Sequence, residues 1–178
     1  NIQLHNYTYT DEVAATTASV ERLPDMVDYF SKNTGVPYPY ETYSQVFVLD
    51  VPWGMAATSM AIQTENMVDN FGTHADFLYL WDGLEGESLA QQWFGNYVSC
   101  NDPNHIWLNK GFARYFSGLY NANKNGKDEF LLWQHAYDQS TYFFDWDYSV
   151  RQALVNTDTN NIYNFINSNT PYFHASAV

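Results

Sequence analysis

The apolar pattern changes rhythm once along the chain. Residues Ile2 to Tyr9 alternate as a short strand and start without a preceding turn or cap. Thr10 and Asp11 are placed to cap a helix that carries Val13, Val20, Leu23, Met26, Val27 and Phe30 toward a core. Pro24 fits a new helix start or a kink, and Gly35 a helix end. The rigid run Pro37-Tyr38-Pro39-Tyr40 leads into Gln45-Val46-Phe47-Val48-Leu49, which has the apolar density of a buried strand. A second strand is expected from Gly54 to Thr64. Beyond Gly72 the spacing turns to three and four: Leu84 to Trp93, Ile106 to Tyr120 and Glu129 to about Tyr142 read as helices. Asn156 to Thr170 reads as loop, with a short helix around Ile162 to Ile166. Strands first and helices later predict an α+β domain. No repeat or linker divides residues 1–178, so one domain is expected, as a fragment of a longer parent. That leaves open that residues 1–10 close a preceding β-domain.

Composition sharpens the core and narrows the partners. Hydrophobic residues make up 46% of the chain and aromatic ones 19%, enough for a bulky aromatic core. Seven Lys and Arg against twenty Asp and Glu give a formal charge of -13, which repels phosphate backbones and excludes nucleic acid as an expected partner. The uncharged stretches are broken by Gly, Pro, Asn and Gln, so no membrane span is expected. The single cysteine, Cys100, excludes an internal disulfide and a cysteine-rich zinc site and is expected to be a small buried residue. The five histidines, His5, His74, His105, His135 and His174, show no pair four apart on one helix. His74 with Asp76 fits a loop cap, and Asp145-Trp146-Asp147 a surface loop.

Chemistry concentrates in two segments. Glu87-Ser88-Leu89-Ala90-Gln91-Gln92-Trp93-Phe94-Gly95-Asn96 is followed by Trp107-Leu108-Asn109-Lys110-Gly111-Phe112-Ala113. Together they resemble the gluzincin zinc aminopeptidases of the aminopeptidase N and leukotriene hydrolase type. That family carries His-Glu-x-x-His-Gln-Trp-Phe-Gly-Asn and then Trp-Leu-Asn-Glu-Gly-Phe-Ala at the same spacing. Two His four apart on one helical face, with a Glu from a later helix, hold zinc there, and the Glu between the His activates the metal-bound water. The resemblance runs from about Pro24 to Val178 and implies a thermolysin-like (zincin) catalytic domain.

The same alignment implies that the chemistry is gone. Glu87 and Gln91 stand at the two His positions, Lys110 at the ligand Glu and Ser88 at the general base. Gln91 is a weak neutral ligand, Lys110 brings a cation to the zinc position, and Ser88 has no basicity near neutral pH. Upstream, Trp53-Gly54-Met55-Ala56-Ala57 aligns with Gly-Ala-Met-Glu-Asn or Gly-Gly-Met-Glu-Asn, so Ala56 replaces the Glu that grips a substrate's amino terminus. Tyr172, within Pro171-Tyr172-Phe173-His174, falls on the tyrosine that stabilises the oxyanion, and is the one catalytic side chain retained. A serine-hydrolase role for Ser88 lacks a base and an oxyanion hole.

The reading that results is a non-catalytic homologue of a zinc aminopeptidase, without cofactor, serving as a binding or scaffolding domain. Its expected partners are a peptide or protein in the residual cleft and the flanking domains of a longer parent. The alternative is a zinc-dependent metallo-aminopeptidase with an altered or externally completed site. An aminopeptidase-like subunit of the TATA-recognising transcription factor offers a precedent for the former. The run through Met55, Thr58 and Ser59 resembles bacterial members of the family, which favours a bacterial origin, with an extracellular or periplasmic address ahead of a cytoplasmic one. Glu87 and Lys110 are further expected to form an ion pair, with Gln91 hydrogen-bonded nearby, in place of the metal.

Overall fold

The computed structural model describes residues 2–51, 54–68, 78–130, 135–148 and 155 of the 178-residue chain. One layer is a four-stranded sheet in the order β1-β2-β4-β3, from β1 (Gln3–Tyr7), β2 (Thr42–Val48), β3 (Met55–Ala57) and β4 (Met60–Thr64). The pairs β1/β2 and β2/β4 are parallel, and β3/β4 is antiparallel. Parallel pairing needs a long crossover, and between β1 and β2 it is supplied by α1 (Val13–Ser19) and α2 (Leu23–Thr34).

In α2, Leu23, Met26, Val27 and Phe30 recur every three or four residues and are all buried. Pro24 sits in the first turn, where its missing N–H is not needed, and Gly35 ends the helix with φ 71°. The chain thus forms two helices around Pro24, not one kinked helix. Four details differ from the sequence expectation. Glu12 takes the N-cap position of α1 and makes no side-chain cap bond, and Val13 is exposed because α1 lies on the sheet's rim. The strand expected over residues 54–64 is a hairpin with Thr58 and Ser59 at its turn; Ser59 takes φ 58°, the left-handed conformation that reverses the chain. Leu49 lies past the end of β2 and is exposed.

The second layer is helical: α3 (Leu78–Ala90), α4 (Trp107–Asn125) and α5 (Ala136–Tyr148), with a helical turn over Lys127–Glu129. Asp145, Trp146 and Asp147 lie on α5, not in a loop. From Glu85 to Ala90 every residue of α3 is buried, as expected for a helix covered on all sides. Its contacts with α4 pair Gly83 with Ser117, Glu87 with Arg114 and, just past its end, Gln91 with Lys110, so the two helices run antiparallel. Small residues set their closeness: a β-carbon on Gly86 would lie 2.7 Å from Ser117 Oγ, the hydroxyl that donates to Gly83 O at 2.8 Å.

The core between the layers is aromatic. Phe30, Tyr38, Trp93 and Tyr120 meet edge to face, and Tyr120 Oη donates to Asp25 Oδ2 at 2.8 Å. Through the sheet runs a buried polar line. Gln63 Nε2 donates to Gln45 Oε1 at 2.9 Å, and Gln45 Nε2 donates to Glu85 Oε1 at 2.8 Å and to Asn6 Oδ1 at 3.3 Å. Burial pushes the Glu85 carboxyl up to about 8, with Asp82 adding to the effect and the Gln45 bond opposing it. Tyr43, also fully buried, is raised well above its ordinary value by burial, with the Glu85 charge adding to the effect.

Candidate functional site

The site is built where α3 ends against α4. Glu87 and Gln91 are one helical turn apart, and Gln91 N–H donates to Glu87 O at 3.0 Å, so both side chains leave the same face. From α4, Lys110 and Arg114, also one turn apart, meet them. Lys110 Nζ donates to Gln91 Oε1 at 2.8 Å, and Arg114 Nη1 donates to Glu87 Oε2 at 3.2 Å. The guanidinium then reaches α5: Nη2 and Nε of Arg114 donate to Asp138 Oδ1 at 2.6 and 2.9 Å, and Nε also lies 3.0 Å from Oδ2. Burial works against the charged form of Arg114, but Glu87 and Asp138 together hold it above its ordinary value.

The structure therefore brings together Glu87, Gln91 and Lys110 as the spacing implied, but corrects their pairing. The partner of Glu87 is Arg114, and Lys110 bonds the amide of Gln91. The reason is geometric: the rows of the antiparallel helices set residue 87 across from 114 and residue 91 across from 110. Arg114 and Asp138 were missed by the sequence reading. Arg114 had one readable signal, its place four residues after Lys110 on the same helix face. Asp138 had none, because its role depends on where α5 packs.

Ser88 points the other way, into the sheet, and is 2% exposed. It faces Gln63 on β4 and the backbone of Gly54 just before β3. Ala56 lies on β3 paired with Ala61, and as an alanine it offers no charge to an amino terminus. Gln92 ties this hairpin to α3: its Oε1 accepts from Ser59 N at 2.8 Å, and its Nε2 donates to Ala57 O at 3.0 Å and reaches Met60 O at 3.4 Å.

The retained motif residues are scaffold. Trp93 Nε1 donates to Val36 O at 2.9 Å, pinning the end of α3 to the loop after α2. Gly95 holds φ 139°, a conformation other residues rarely adopt, as the chain leaves α3. Asn109 accepts from Cys100 N at 3.2 Å and donates to Ser99 Oγ at 3.1 Å, which fixes that exit loop to α4. Cys100 is half-buried, less enclosed than expected, because its loop lies at the rim of the two helices.

Tyr172, His74, Asp76 and His174 lie outside the described residues. The other histidines are apart: His5 stacks on Tyr7 of β1, His135 bonds Gln139 at 2.9 Å and His105 closes a short 3-10 turn. Among the described residues no group of three or more His, Cys, Asp and Glu converges to hold a metal. The donor set at residues 87, 91 and 110 does not fit zinc. The Gln91 oxygen is engaged by an ammonium, the Glu87 carboxylate by a guanidinium, and Lys110 has no lone pair to offer while charged.

Comparison with known proteins agrees with this architecture. The chain is similar to aminopeptidase M1-A of Oryza sativa subsp. japonica, 25% identical over 171 residues covering 88% of the chain and 18% of the relative. It is also similar to the transcription initiation factor TFIID subunit 2 of Drosophila melanogaster, 27% identical over 116 residues covering 65% of the chain and 9% of that protein. Among solved structures, yeast LTA4 hydrolase in complex with bestatin superposes with a TM-score of 0.81 at 21% identity, over 98% of the chain and 28% of the hydrolase chain. An M1 zinc metallopeptidase from Deinococcus radiodurans superposes with a TM-score of 0.61 at 22% identity, over 87% of the chain and 30% of its own. The chain thus spans under a fifth of these two curated relatives and about three tenths of the solved chains. The model of the peptidase family M1 domain matches residues 18–178, and the chain belongs to that family.

Proposed function

We propose that this chain is a non-catalytic M1 homologue that serves as a scaffolding or binding domain within a longer protein. The observation that carries the reading is the placement of Arg114. Its guanidinium bridges Glu87 and Asp138, while Lys110 bonds Gln91, so two protein cations occupy the neighbourhood in which the family's ligands converge on a dication. A zinc ion would have to displace both and would gain one carboxylate and one neutral amide. The other parts of the reaction are missing in the same direction. Ser88 cannot take a proton from water near neutral pH, and Ala56 cannot anchor an ammonium.

Similarity to a transcription factor subunit as well as to aminopeptidases supports a role in assembly, since a protein named for the former also carries this kind of domain. The partners of the domain are then other proteins and the rest of a longer parent. An extracellular or periplasmic setting remains part of the proposal, as does a bacterial origin. No helix among the described residues is long and apolar enough to cross a membrane.

The test is metal analysis of the purified protein together with an assay on aminoacyl-arylamide substrates, with and without chelator. The expected result is substoichiometric zinc and no chelator-sensitive turnover. Stoichiometric zinc with turnover that a chelator abolishes would establish the metallo-aminopeptidase instead.

A further inference from the structure

Gly54 packs so closely on α3 that a side chain there would force Ser88 or Gln63 to shift. A β-carbon built on Gly54 would lie 2.5 Å from Ser88 Oγ and 2.5 Å from Gln63 Oε1, both inside the range that real contacts avoid. Backbone therefore rests directly on the residue at the family's general-base position. Three further observations bear on this contact. Gln63 is fully buried and its Oε1, which faces Gly54, has no hydrogen-bond partner among the described residues, an arrangement that carries a desolvation penalty. Gln92 holds the same hairpin down on α3 through Ser59 N–H and Ala57 O. Ser59, at the hairpin turn, and Asp50, in the turn that follows β2, take φ of 58° and 62°, costly for residues with a β-carbon.

From these we infer that the segment Gly54 to Ala57 is a strap that shuts the groove between β3 and α3 over residue 88, and that position 88 accepts only a small side chain beneath it. This deepens the non-catalytic reading and rests on it. The residue at position 88 and the closure of the groove become one coupled feature: Ser88 is 2% exposed and its hydroxyl lies where a β-carbon on Gly54 would sit, so a Glu at position 88 would have to displace the strap. An extended peptide laid in this groove would first have to lift Gly54. Binding partners consequently meet the outer faces of the domain while the strap is down.

The coupling is tested by thermal unfolding of Gly54→Ala, Ser88→Ala and the double variant. Gly54→Ala is expected to lower the midpoint by roughly 4–10 °C, the overpacking range for a chain of this size. Ser88→Ala alone is expected to shift it by no more than about 2 °C, since it removes one small polar atom. The double variant is expected to recover part of the loss, because one of the two crowding atoms is gone. Additive effects, or an unchanged Gly54→Ala, would overturn the strap.

A second measurement reads closure without relying on Gly54→Ala folding. In a Cys100→Ser background, Ser88→Cys is treated with methyl methanethiosulfonate. Modification is expected at least about 100-fold slower in buffer than in urea, limited by local opening. Modification equally fast in both would show an open groove and end the inference. Neither readout depends on zinc or turnover, so failure of the non-catalytic reading would appear separately in the metal analysis.

Discussion

Arg114 is the centre of a three-part chain of charge, and its two carboxylate partners are more enclosed than it is. Side chains of Glu87 and Asp138 are 10% and 2% exposed, and the guanidinium offsets the charge of both. Replacing Arg114 by Met keeps most of the volume and leaves two buried carboxylates without it. The expected loss is about 3–5 kcal/mol in urea unfolding, the range for breaking a buried ion pair from one side. Neutralising the carboxylates as well, in Arg114→Met with Glu87→Gln and Asp138→Asn, should return much of that loss, because the penalty comes from uncompensated charge. A triple variant as unstable as the single one would show that Arg114 acts through packing instead. Glu85 supplies a prediction of opposite electrostatic character. Its folded carboxyl is held protonated up to about 8 by burial, whereas in the unfolded chain it titrates near its ordinary value of 4.5. The folded state therefore binds the extra proton between those values, and stability falls as pH rises through that window. Its contribution is complete below about pH 4.5 and lost by about pH 8. Glu85→Gln should flatten the decline of the thermal midpoint between pH 5 and 8 relative to the parent. Equal slopes in the two proteins would rule out this carboxyl as the source. Asp25 acts in the other direction, since Lys124 holds its carboxyl below the ordinary range, but its side chain is 48% exposed and screening leaves it little weight.

At the scale of elements, the hairpin of β3 and β4 hangs on a side chain from another layer. Gln92 is fully buried and bonds backbone groups at Ala57 and Ser59. Gln92→Leu keeps the size and removes the bonds. It should cost about 1–3 kcal/mol, the net worth of two hydrogen bonds, and should speed amide exchange at Ser59 more than in β2. Uniform exchange across the sheet would argue against a local clamp. The same hairpin marks the limit of what the sequence made legible. Three- and four-residue spacing located α2, α3 and α4 because each buries one face or all of itself, and Gly35 and Pro24 punctuate the chain as their backbone constraints require. The turn at Thr58 and Ser59 was invisible, because neither residue belongs to the Gly, Asn and Asp set that announces a reversal, and the left-handed Ser59 is held by Gln92 instead. Ala56 on the strand and the cluster of Glu87, Gln91 and Lys110 were legible through motif spacing. Arg114 opposite Glu87 was not, since the register between antiparallel helices depends on Gly86 letting α4 approach closely at one height.

Over the whole molecule, the residues that hold the zincin scaffold together are distinct from those at the family's ligand and general-base positions. Trp93, Gly95 and Asn109 bind the end of α3 to its surroundings through backbone groups, and none of these contacts involves residues 87, 88 or 110. The backbone positions that would present ligands are still juxtaposed, as the 2.8 Å bond between Lys110 and Gln91 shows. Restoring the ligand types should then restore a metal site without restoring a peptidase. Glu87→His, Gln91→His and Lys110→Glu together should bind zinc, and at a free zinc concentration a hundredfold above Kd the metal should stabilise the variant by about 2.7 kcal/mol, visible as a rise in thermal midpoint. Arg114 retains Asp138 as a partner when Glu87 is replaced, so the helix it crosses to stays tethered. The variant is expected to show no turnover of aminoacyl-arylamides, because Ser88 supplies no base and Ala56 no amino-terminal anchor. A folded variant whose midpoint ignores zinc would show that the site has drifted in geometry as well as in side chains. A variant that both binds zinc and hydrolyses substrate would show that the base and anchor are dispensable in this domain.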